Sequence, residues 1–74
     1  MNDYFRYRIE VLDGDGRLIE DYGRYINLLA AEKVARDQSW LYGIPAVVKI
    51  WDEQEALFPV AIQIWQRGRK IKGK

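Results

Sequence analysis

The sequence predicts an α+β domain of order ββαββ, a four-stranded antiparallel sheet with one helix packed on one face. Three observations predict it. Residues 4–12 alternate between apolar and charged side chains. Asn27 to Gly43 carries a helical period between a start signal and a stop signal. Two more alternating runs, 46–51 and 58–66, flank the turn DEQEAL.

In the first strand, YFRYRIEVL, Phe5, Tyr7, Ile9 and Val11 point one way and Arg6, Arg8 and Glu10 the other. Period two with aromatic and β-branched residues marks a half-buried strand. DGDG, Asp13 to Gly16, is a hairpin signal, because glycine supplies positive φ at little steric cost. RLIEDY, residues 17–22, returns as a strand with poor alternation, so it is expected to be short or at an edge.

The helix opens at Asn27, whose side chain suits an N-cap. Leu28, Ala31, Val34, Ala35, Gln38, Leu41 and Tyr42 fall on one face, and Glu32, Lys33, Arg36 and Asp37 on the other. Gly43 is placed to end the helix in a left-handed conformation, and Pro45 cannot continue it. Direction then restricts the topology: a fully antiparallel sheet needs strand order 2-1-3-4 or 1-2-4-3. One helix covers one face of such a sheet.

The face left uncovered follows from the alternation. It is expected to carry Arg6, Arg8 and Glu10, then Val47, Lys49 and Trp51, then Ala61, Gln63 and Trp65, while Val60, Ile62 and Ile64 turn to the core. The two tryptophans are expected as near neighbours across the second hairpin. Aromatic and basic residues on an open sheet suit either stacking on single-stranded nucleic acid or a protein hot spot. Two such faces can also bury each other in a homodimer.

Composition narrows the function classes. The 74 residues form a single domain, 1–66, followed by a basic tail, 67–74. That tail, RGRKIKGK, holds Arg67, Arg69, Lys70, Lys72 and Lys74 and no acidic residue, while the rest of the chain is net acidic. It reads as a frayed, solubilising end or as an electrostatic arm. There is no cysteine and no histidine, so thiolate chemistry, disulfides and the commonest general base are excluded. Ser39, the sole serine, therefore has no histidine base. DGDG fails as a calcium loop, since Leu18 stands where glycine is needed and Arg24 where glutamate is needed. The carboxylates of DEQE, Asp52, Glu53 and Glu55, read as a solvated hairpin tip. No catalytic residue, metal site or cofactor is expected. MNDYFRYRIE lacks a signal-peptide pattern and no apolar run reaches membrane-spanning length, so a cytoplasmic protein without a membrane partner is expected.

The order of a strand hairpin, then Asn27 and Leu28 opening a helix with Ala31, Lys33, Val34 and Ala35, then Trp40, Tyr42 and Gly43, then two strands and a basic end, resembles small anti-CRISPR proteins of phages and prophages that inhibit type I systems, a type I-F group in particular. The resemblance implies a non-enzymatic protein that binds a Cas subunit of the surveillance complex in the host cytoplasm and blocks target DNA recognition. Some members of that class contact the backbone-forming subunits and others recruit non-specific DNA. The residues expected to bind a partner are Arg6, Arg8, Lys49, Trp51, Gln63, Trp65, Arg67, Arg69 and Lys70.

Overall fold

The computed structural model describes residues 6–54 and 59–73. Among them the order is β1 (Tyr7–Leu12), β2 (Leu18–Tyr25), α1 (Leu28–Tyr42), β3 (Val47–Asp52), β4 (Val60–Gln66) and β5 (Arg69–Gly73). The strands form one sheet in the order β2-β1-β3-β4-β5, every neighbouring pair antiparallel. The α+β class is as expected, and of the two strand orders left open, 2-1-3-4 and 1-2-4-3, the first four strands take 2-1-3-4. The sheet has five strands rather than four, because RGRK is not a tail. It is a tight turn at Arg67 and Gly68 followed by an edge strand. Gly68 takes φ 78° and lets the chain reverse, so Gln66 pairs with Arg69.

The helix forms where its signals lie. The Asn27 side chain accepts from the Ala30 N–H at 2.8 Å, satisfying one of the free donors of the first turn. Gly43, at φ 68°, ends it with its N–H donating to the Ser39 carbonyl. Ala31, Ala35 and Ser39 are the buried helical residues, spaced four apart. Their small side chains bring the helix close to Ile9, Val11, Val48 and Ile50, which are fully buried beneath it. Full burial of each such aliphatic chain contributes about 1.5–3 kcal/mol. Leu41, expected on this face, is 74% exposed, because the buried stripe runs through Ser39 and leaves Leu41 outside it.

DGDG makes the expected turn. The Asp13 carboxylate accepts from the N–H groups of Asp15 and Arg17, at 2.8 and 2.9 Å, so its oxygen serves the backbone of the turn. β2, expected to be short or at an edge, is an edge strand of eight residues. Its alternation is poor because the pairing with β1 slips twice, once around Tyr22 and once around Ile19. Each slip inserts a residue that breaks the period of two.

The slip with the largest consequence lies between β3 and β4. Ile50 pairs with Gln63, yet Trp51 pairs with Ala61, so Ile62 is an extra residue in β4. Ile62 packs against the core as expected, and Ala61 stays opposite Trp51. Every later residue of β4 changes side, since the side-chain period is two. Gln63 and Trp65 therefore stand opposite the core residues Ile50 and Val48, and Ile64 stands opposite Lys49. Gln63 is 1% exposed and Trp65 packs against the core cluster. The expectation that Gln63 and Trp65 share the open face with Trp51 is corrected: Trp51 and Trp65 lie on opposite faces.

Candidate interaction surfaces

The open face is built from two rows across the strands. Arg8, Trp51 and Ala61 form one, and Glu10, Lys49, Ile64 and Lys72 form the other. Trp51 is held between two cations: the Arg8 guanidinium carbon is 5.9 Å from its ring centroid and the Lys49 ammonium 5.7 Å. Such contacts contribute roughly 0.5–1 kcal/mol each at exposed sites. Its indole N–H is buried and has no hydrogen-bond partner among the described residues.

The arginines of this face are ion-paired. Arg8 pairs with Glu10 at 3.0 Å and, through Nε, lies 2.9 Å from Glu53. That second contact lacks hydrogen-bond alignment, so it acts as an ion pair only. Arg24, from β2, also pairs with Glu53. The hydrogen bond to Glu53 and its charge hold the Arg24 guanidinium above its ordinary pKa. The open face thus mixes both signs of charge around one aromatic ring, unlike the uniformly basic platform that stacks nucleic acid.

Arg6, expected beside Arg8, is elsewhere. Its guanidinium reaches the buried Asp52 with two hydrogen bonds, Nε to Oδ1 at 2.9 Å and Nη2 to Oδ2 at 2.8 Å. Both line a cleft with Leu28, Val60, Ile62 and Gln63, on the helix side of the sheet. This corrects two expectations. Arg6 leaves the open face, and Asp52 and Glu53 are ion-paired structural groups rather than a solvated tip. Glu55 and Phe5 lie outside the described residues. Among the described residues no group of three or more acidic side chains is placed to hold a metal ion, and no helix is long and apolar enough to cross a membrane.

A second surface lies at the C-terminal end of α1. The turn between β4 and β5 is tied there by the Gly68 N–H, which donates to the buried Ser39 hydroxyl at 2.9 Å. That hydroxyl in turn donates to the Arg36 carbonyl. A Cβ at Gly68 would lie 3.4 Å from the Trp40 ring, so the turn packs directly on that ring. Trp40 nevertheless stays 64% exposed. Arg67 and Arg69, expected in a tail, line grooves on both sides of it. Lys70 stands opposite Trp65 on β5. Sequence reasoning left Trp40 unassigned. Its spacing from Gly68 gives no signal, because it depends on the helix end and a hairpin turn meeting in space.

Comparison of the chain with protein-family models, with curated proteins and with solved structures gave no match.

Proposed function

We propose that this chain is a non-enzymatic phage or mobile-element protein that inhibits a type I CRISPR–Cas surveillance complex in the host cytoplasm. It binds a Cas subunit through the open sheet face and blocks target DNA recognition. One observation carries the binding reading: among the described residues, Trp51 sits on a face with no helix over it, clamped by Arg8 and Lys49, with its indole N–H unpaired. A buried donor without a partner costs about 1–3 kcal/mol. Departures from local optimality of this kind concentrate at functional sites. Glu10 and Glu53, set among Arg8, Arg24, Lys49 and Lys72, give the face both signs of charge, which suits a protein partner better than a polyanion. The resemblance in layout supports the finer choice of a CRISPR target.

The test is binding to purified type I surveillance complexes, the type I-F complex first, with target DNA binding as the second readout. The proposal expects a stable complex that no longer takes up target DNA. A chain that binds none of them, or binds without affecting DNA uptake, contradicts it. A dimer in light scattering that dissociates on Trp51→Ala would instead assign the open face to a second copy of this chain.

A further inference from the structure

We infer that the surface around Trp40 binds single-stranded nucleic acid, independently of the open sheet face. Two grooves meet at the Trp40 ring. One runs past Arg36 and Asp37, the other past Ile44, Gln66 and Ile71, and Arg67 and Arg69 line both. The ring is exposed but not loose. It rests on the Gly68 turn, which the buried Ser39 hydroxyl ties to the helix. Trp40, Ile44 and Ile71 are exposed apolar groups in one neighbourhood.

Charge selects the occupant. Among the described residues, Asp37 is the one acidic side chain lining these grooves, and it lies 3.6 Å from Arg36, so the two offset each other. Arg67 and Arg69 make no ion pair with a described residue. An exposed aromatic ring flanked by the guanidinium groups of Arg67 and Arg69 is the arrangement that stacks a base and holds its phosphates. An acidic protein segment would satisfy the cations but leave the ring without a stacking partner. Duplex DNA keeps its bases stacked on each other and offers Trp40 only its backbone.

The experiment is fluorescence anisotropy of a labelled oligothymidylate titrated with the full chain at several salt concentrations. Binding is expected to weaken steeply with salt, as phosphate contacts release counterions. Trp40→Leu is expected to weaken it on the order of tenfold or more, and Trp40→Phe to restore part of the loss. Arg67→Asn, which suits the positive φ of 52° there, and Arg69→Ser are each expected to reduce the salt dependence. Circular dichroism confirms that each variant is folded, and the two arginine variants leave the helix untouched. No binding at low salt overturns the inference. So does a folded Trp40→Leu chain that binds as the parent does, or a duplex of equal length that competes as well as the single strand. Displacement by polyglutamate at equal charge concentration would reassign the surface to an acidic protein. These readouts concern Trp40 and an oligonucleotide, so their failure leaves the proposal for Trp51 and a protein partner standing.

Discussion

The Trp65 indole N–H donates to the Gln63 side-chain oxygen at 2.9 Å, two residues back along β4. The Gln63 amide completes the link by donating to Glu32 on the helix at 2.7 Å. A buried glutamine thus joins sheet, helix and tryptophan in one polar chain beneath the core. Truncating Gln63 to alanine leaves the Trp65 N–H unpaired in a packed region. Such a loss costs about 1–3 kcal/mol, so Gln63→Ala should lower the urea midpoint without changing the slope.

Asp52 does the same work at the opposite end of the strand pair. It accepts two hydrogen bonds from Arg6 and a third from the Gln54 N–H at 3.0 Å. Its side chain is nearly inaccessible, while that of Arg6 is about a third exposed. Water can therefore take over part of the Arg6 charge when the partner is lost. Asp52→Ala should destabilise by about 2 kcal/mol, less than a fully buried pair would, read by chemical unfolding.

Helix initiation rests on Asn27. Asn27→Ala removes the acceptor that Ala30 uses and should cost about 1 kcal/mol, while Asn27→Asp should retain most of the stability. Thermal unfolding of the three chains checks the order.

Tyr22 links stability to alkaline pH. Its hydroxyl donates to Gln38 at 2.7 Å. Burial, with the Tyr42 hydroxyl and the Glu20 charge beside it, pushes its pKa from the ordinary 10.0 up to about 12. The folded chain therefore holds its proton more tightly than the unfolded chain does. The resulting stability is fully present below about pH 10 and is lost as pH rises toward about 12. Tyr22→Phe should flatten this alkaline decline, measured by unfolding midpoints across that range.

The class, the helix with both of its caps and the DGDG turn were legible because each depends on residues close in sequence, whereas chain direction alone left two strand orders open and only the pairing of β1 with β3 decides between them. Asn27 and Gly43 act within one turn of the helix, and alternation in Tyr7–Leu12 and Val47–Asp52 is a local property. The failures share one cause. A single extra residue, Ile62, reverses which side Gln63, Ile64 and Trp65 face, and nothing in VAIQIW marks it. The pairing partner decides where the slip falls. Likewise RGRK reads as a charged terminus until β4 supplies an edge for it to pair with. Of the residues expected to bind a partner, Arg8, Lys49 and Trp51 stand on the open face, and Arg67 and Arg69 meet at Trp40 instead. Arg6 and Gln63 are committed to internal polar contacts and Trp65 to the core.

The most direct test of the account is the affinity of the chain for a purified type I surveillance complex, compared with that of Trp51→Ala. Truncating a central aromatic anchor of an interface costs about 2 kcal/mol or more, so affinity should fall at least roughly thirtyfold while the circular dichroism spectrum is unchanged. Equal affinity of a folded Trp51→Ala chain, or no binding by the parent chain, would contradict the assignment of the open face as the inhibitory surface.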